Sequence, residues 1–226
     1  MNNFILAIVG NKGGIGKTTL AYNLLYLLTK AEVSAILIDC DNDQYSSADF
    51  ANDRKKAGIE PVLNVINMPT RDLQKNIVEL SKKYEVIIIE FGKATEDKEE
   101  KDRNYALELA IKLADKVVMP IQPSPVDAKT ISKVEQKLPL SAIKVSTVIV
   151  PNRVKSQGQL NSLLAAAGDL KYFKFTENYL KDRLCYQDSF ALGGRSVFEM
   201  KGSEPEKAQK EFKQLFEEIL CQQGSH

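Results

Sequence analysis

Residues 4–28 run from a short apolar stretch, FILAIV, through GNKGGIGKTT into a segment with Leu20, Leu24, Leu27 and Leu28 at helical spacing. No other feature restricts the fold as much. A β-branched run, a turn of glycines and an amphipathic helix form the context in which a backbone wraps a phosphate. Gly13, Gly14 and Gly16 leave the N–H groups free to point inward where a Cβ would obstruct. The helix that starts near Lys17 turns the positive end of its dipole toward the same anion. Lys17 then reaches the β- and γ-phosphates and Thr18 offers its hydroxyl to Mg²⁺. Gly13, Gly14, Gly16, Lys17, Thr18 and Thr19 are therefore the nucleotide-binding candidates. The loop also carries a second lysine, Lys12, and Asn11 stands where the first glycine is usual.

The rest of the chain fits around such a loop. AILID (35–39), VIIIE (86–90), KVVMPI (116–121) and KVSTVIV (144–150) are further short apolar runs, separated by helix-period segments. Near-continuous β-branched runs suit strands buried on both faces. The alternation predicts an α/β, doubly wound, mainly parallel sheet with helices on both faces. One domain over 1–226 is expected, without a separate N-terminal DNA-reading domain. GSEPEKAQKEFKQLFEEIL reads as a last helix, with Ser203 and Glu206 at capping-box spacing and Pro205 in the first turn. Its stripe of Ala208, Phe212, Leu215, Phe216, Ile219 and Leu220 is expected to pack on the domain. A membrane-surface helix would carry a polar face rich in Lys and Arg, whereas this one mixes in Glu206, Glu211, Glu217 and Glu218. The charged stretch 94–104 reads as a solvated loop or helix start.

Composition removes several function classes. Thirty-one basic against thirty acidic residues give no global signature of nucleic-acid or membrane binding, so any such surface must be local. Cys40, Cys185 and Cys221 are far apart, which excludes a zinc site or a disulfide framework and fits a reducing cytosol. The one histidine is His226, so histidine catalysis is excluded. No apolar run approaches the roughly 20 residues of a spanning helix, and a cytoplasmic protein is expected.

After the second apolar run comes DCDNDQ (39–44). Asp39 and Asp41, two apart at a strand's carboxyl end, point the same way if the backbone stays extended. One carboxylate can hold a metal-bound water while the other orients or deprotonates the attacking water.

KGGIGKTT followed by DCDNDQ resembles the deviant Walker A class of P-loop NTPases, which includes ParA-type partition proteins, MinD-type division-site proteins and the nitrogenase iron protein. The resemblance implies that Lys12 crosses a dimer interface to the nucleotide held by the partner, so that two subunits sandwich ATP. VVMPIQPSPVDAKT (117–130) resembles the nucleotide-site and dimer-face segment of small plasmid ParA proteins. VPNRV (150–154) is similar to their adenine-contacting stretch, which makes Asn152 and Arg153 candidates. GGRSVFEM (193–200) resembles an element near their end. The nearest likeness is to the small ParF-like plasmid proteins.

The resemblance implies ATP/ADP and Mg²⁺ as cofactors, with Lys12, Lys17 and Asp41 catalytic and Thr18, Asp39 and Glu90 at the metal. It also implies a homodimer on ATP binding, non-specific DNA as a surface, and a centromere-binding adaptor of ParB or ParG type that stimulates a weak intrinsic ATPase. The ATP-bound form would be nucleoid-associated. Lys171, Lys174, Lys181, Arg183, Arg195 and Lys201 are the candidate DNA contacts. Three departures stand out: the loop after Asp41 lacks the usual proline and has an added residue, leaving Asp43 and Gln44 without a role; the strand usually ending in Asp ends in Glu90; and Asn11 replaces glycine or proline. A MinD-like positioning or assembly ATPase, at a membrane or on a conjugation or secretion complex, is the alternative. A family member that binds nucleotide but barely hydrolyses it is the third reading.

Overall fold

The computed structural model describes residues 3–10, 12–41, 46–92, 100–137 and 145–221. Asn11, Asp43, Gln44, His226 and most of the charged 94–104 stretch lie outside them. Seven strands form one sheet in the order β3-β2-β4-β1-β5-β6-β7, and every pairing is parallel. The strands are β1 (Phe4–Ile8), β2 (Ala35–Asp39), β3 (Val65–Asn67), β4 (Val86–Glu90), β5 (Lys116–Ile121), β6 (Ser146–Pro151) and β7 (Phe173–Phe175). The expected doubly wound sheet is present.

Alternation along each strand divides the core into two layers. Ala7, Ile36, Ile38, Ile87, Ile89, Val117 and Ile149 face α3 (Leu73–Ser81), α4 (Glu100–Leu113), α5 (Pro125–Lys137) and α6 (Gln157–Ala167), meeting Leu73, Leu107, Ile131 and Leu163. Leu6, Ile8, Leu37, Ile88, Val118 and Val148 face α1 (Lys17–Lys30), α7 (Cys185–Ala191) and α8 (Ser203–Cys221). Leu20 and Leu24 pack there, as do Ala208, Phe212, Leu215 and Ile219 of α8. The last helix thus spends its apolar stripe on the sheet, with Phe216 partly buried beside it. No helix among the described residues is long and apolar enough to cross a membrane.

Two strands escaped the sequence reading. β3 and β7 are three residues each, at the two edges, too short for a periodic signal. The capping box also lies elsewhere than expected. α8 starts at Ser203 with the Gly202 carbonyl accepting from Glu206 N–H. The reciprocal pair is Ser196 with Glu199, at the head of a short 3₁₀ turn over Val197–Glu199.

What positions the site is the centre of the sheet. The chain winds one way from β1 to β2 and β3, returns through β4, then crosses to β5, so β1 lies at the switch in strand order. Ligands of open α/β sheets bind outside the carboxyl ends at such a point. Register does the rest: Ile8 pairs with Glu90, and Glu90 pairs with Asp39. The exit of β1 and the last carboxylates of β4 and β2 therefore stand at one level.

Candidate nucleotide site

The glycine loop leaves β1 at that level. Val9 N–H still bonds the Val118 carbonyl before the chain turns. Gly14 and Gly16 have φ of 71° and 98°, in the left-handed region that a side chain disfavours. Gly16 has a second constraint, because a Cβ there would stand 1.8 Å from Nδ2 of Asn152. That amide, 4% exposed, donates to the Ile15 carbonyl at 2.7 Å. Asn152, expected at the adenine, here braces the underside of the loop from the end of β6. Arg153 follows it with φ 57°, an unusual conformation for a non-glycine residue, and its N–H returns to Asn152 Oδ1 at 2.9 Å.

The two lysines occupy different environments. Lys17, in the first turn of α1, is 6% exposed, and its ammonium lies 3.4 Å from the Lys12 carbonyl. Lys12 sits on the outer lip with half its side chain exposed and pairs with the Asp127 carboxylate. Asp127 is fixed at the start of α5: Ser124 Oγ accepts its N–H at 3.1 Å and donates to Oδ2 at 3.0 Å, with Pro125 at the first helical position. The PSPVD segment therefore joins the site through Asp127, a contact the sequence does not reveal by itself.

Beneath the loop lie the carboxylates. Thr18 Oγ1 donates to Glu90 Oε1 at 2.5 Å, and Ser47 Oγ donates to Oε2 at 2.6 Å. Asp39 accepts the N–H of Asp41 at 3.0 Å on one oxygen and those of Ser47 and Ala48 at 3.1 and 3.4 Å on the other. It thus caps the start of α2 (Ser46–Lys56) as well as facing the site. Burial pushes Glu90 up to about 7, opposed by the Ser47 and Thr18 bonds, raised further by Asp39 and lowered by Lys17. Burial raises Asp39 also, against the three N–H bonds it accepts. Asp41 lies beside Gly92, where a Cβ would stand 2.8 Å from Asp41 Cα. Sequence reasoning missed Ser47 and Gly92 as parts of the site, and it placed the 117–130 segment there by resemblance without naming Asp127.

Two buried carboxylates side by side with a threonine hydroxyl make an all-oxygen donor set, and adjacent burial of like charge favours a cation between them. Among the described residues no group of three His, Cys, Asp or Glu could hold a metal without help. Mg²⁺ takes one or two protein carboxylates and completes its shell with waters and phosphate oxygens.

Residues 6–193 match the CobQ/CobB/MinD/ParA nucleotide-binding domain. The chain belongs to this family. It is a ParA/MinD-type nucleotide-binding ATPase. The maintenance of carboxysome distribution protein A of Gloeobacter kilaueensis is 23% identical over 219 residues, covering 95% of this chain and 93% of that one. Among solved structures, the septum site-determining protein MinD of Pyrococcus horikoshii OT3 with Mg-ADP aligns at TM-score 0.69 and 18% identity, covering 97% of this chain and 98% of that one. A Borrelia burgdorferi B31 protein assigned to plasmid partition, bound to AMPPNP, aligns at TM-score 0.62 and 17% identity, covering 95% and 98%. These likenesses extend the ParA/MinD fold over nearly all of the chain.

The candidate DNA contacts divide. Lys171, Lys174, Lys181 and Lys201 are exposed, and Arg195 is half-buried. Arg183 does not belong with them. Its guanidinium pairs with Glu211 at 2.6 Å and with Glu204, leaving 11% of the side chain exposed. The Glu211 bond first, then the charge of both glutamates, holds its proton more tightly against the opposing effect of burial. Arg183 fastens α8 and is not available to phosphate.

Proposed function

We propose that this ATPase is a dimer-gated partition switch: it sandwiches ATP between two copies, binds non-specific DNA as a dimer, and returns to monomer on hydrolysis stimulated by a centromere-bound adaptor. The observation that carries the reading is the division of labour between the two lysines. Lys17 is buried under the loop, where it can serve only its own nucleotide. Lys12 stands on the lip, half-exposed, where a second copy can meet it.

ATP or ADP would sit on the N–H groups of residues 13–19, with Lys17 on the terminal phosphates and Thr18 and Glu90 toward the metal. Asn152 and Arg153 border the region expected to take the base. Bound Mg²⁺ supplies charge neutralisation between the phosphates. Asp41 positions the attacking water, held in place by its packing on Gly92, and Asp39 fixes the Asp41 backbone. Lys12 leaves Asp127 and adds positive charge at the partner's γ-phosphate, in the manner of an arginine finger. Loss of that phosphate removes the ligand that holds the dimer together.

The test is fluorescence anisotropy of a labelled non-specific duplex under ATP–Mg²⁺ and then ADP–Mg²⁺. Binding with ATP alone, absent in Lys12→Ala, is the expected result. Binding indifferent to nucleotide would overturn the gate. A second reading is favoured by the similarity to a carboxysome distribution protein: an ATPase of the positioning class whose cargo is a protein assembly. It keeps the same dimer and predicts DNA binding with an adaptor that is not centromere-bound. A membrane-acting version has less support, because the apolar stripe of α8 is buried on the sheet.

A further inference from the structure

We infer that Ser47 is a positioning residue for the metal side of the site and that it works as one unit with Glu90. The inference rests on the nucleotide–Mg²⁺ reading above. The resemblance leads one to expect an aspartate at the end of β4, yet this chain has glutamate. The structure shows what the longer side chain reaches. Its two oxygens are divided, Oε1 to the Thr18 hydroxyl at 2.5 Å and Oε2 to the Ser47 hydroxyl at 2.6 Å.

One carboxylate therefore ties the first turn of α1 to the first turn of α2. Ser47 is fully buried, and its own backbone N–H is held by Asp39 Oδ2 at 3.1 Å. Its hydroxyl is thus aimed from a fixed backbone and not from a mobile loop. An aspartate would end about 1.5 Å short, one carbon–carbon bond, and would stretch at least one of the two hydrogen bonds past usable length. Ser47 thus makes a glutamate workable here: it fixes one oxygen, so the other stays turned toward Thr18, the expected metal ligand. Without it the carboxylate has rotational freedom and must be oriented when the metal arrives.

A merely structural serine would cost stability and leave the metal dependence unmoved. The test is binding of a fluorescent ADP analogue to the full chain at rising Mg²⁺, with an EDTA baseline and a thermal melt for each variant. Ser47→Ala should raise the half-saturating Mg²⁺ roughly five- to tenfold, the net worth of about one hydrogen bond, while affinity in EDTA stays at the wild-type value. Ser47→Thr, which keeps the hydroxyl, should restore most of it. Glu90→Asp should shift Mg²⁺ the same way, and adding Ser47→Ala to Glu90→Asp should shift it little further, because the pair acts together. Unchanged half-saturation in Ser47→Ala, or fully additive shifts, would overturn the pairing. If Ser47→Ala does not fold, an unshifted Glu90→Asp would overturn it equally. Wild-type ADP binding that ignores Mg²⁺ would instead overturn the metal reading of the site, and this inference with it.

Discussion

Gly92 follows the last carboxylate of β4 by two positions, and an added Cβ there would stand 2.8 Å from the Cα and 3.2 Å from the Cγ of Asp41. Neither atom is the flexible end of a long side chain, so Gly92→Ala must displace Asp41. The phosphate loop lies outside that contact. We therefore expect Gly92→Ala to slow ATP turnover about 10- to 100-fold, as a misplacement of roughly 1 Å does, with ADP affinity unchanged; Asp41→Ala sets the floor. Steady-state phosphate release beside ADP titration decides it, and equal losses in both would show a collapsed loop instead. At this scale the sequence was informative wherever chemistry is packed into contiguous residues. Gly13, Gly14, Gly16, Lys17 and Thr18 need only their order to be read. Ser47, Gly92 and the Asn152 brace are individually ordinary residues, and their roles arise from neighbours as far as 137 positions away. No local pattern encodes that.

Helix α2 shows how elements hold the site. Its first turn is bound to Asp39 and Glu90, and its far end is anchored by Arg54. That guanidinium is 1% exposed and bonds both oxygens of Glu199, at 2.6 and 2.9 Å, with the Pro61 carbonyl at 2.6 Å. Glu199 in turn closes the capping box with Ser196, and Ser196 Oγ donates to Asn23 of α1. Removing one partner of a buried pair leaves the other charged and unpaired. Glu199→Ala should therefore cost roughly 3–5 kcal/mol by denaturant unfolding. Glu79→Ala, which breaks an exposed i,i+3 pair with Lys82, should cost under about 1 kcal/mol. A loss at Glu199 no larger than that at Glu79 would refute the anchor. GGRSVFEM was legible from resemblance as an element near the chain's end, but its physical task was not. Five strands were legible because their runs are five to seven residues long; β3 and β7 were not, because three residues at an edge carry no period.

For the whole molecule, near-zero net charge means that the proposed DNA binding would have to come from a local set of residues, and side-chain pairing narrows the candidates. Lys171, Lys174, Lys181 and Lys201 are exposed, whereas Arg183 is committed to Glu204 and Glu211. Composition could not separate them, since a paired arginine and a free lysine count alike. Each phosphate neutralised contributes about 0.9 to the slope of log affinity against log salt. Changing all four lysines to alanine should therefore flatten the slope by up to about 3.6 for each copy on the duplex, or about 7.2 for the proposed ATP-state dimer, and weaken binding most at low salt. Arg183→Ala should leave the slope intact and lower the melting temperature, because it unfastens α8 from the segment before α7. Under the proposed dimer gate the ATP state is essential to the measurement, because two copies would bring two sets of lysines to one duplex and the monomer would bring one. An unaltered slope in the fourfold variant would place the DNA surface elsewhere. A flattened slope in Arg183→Ala, without loss of stability, would return that arginine to the interface and break the ionic assignment of α8.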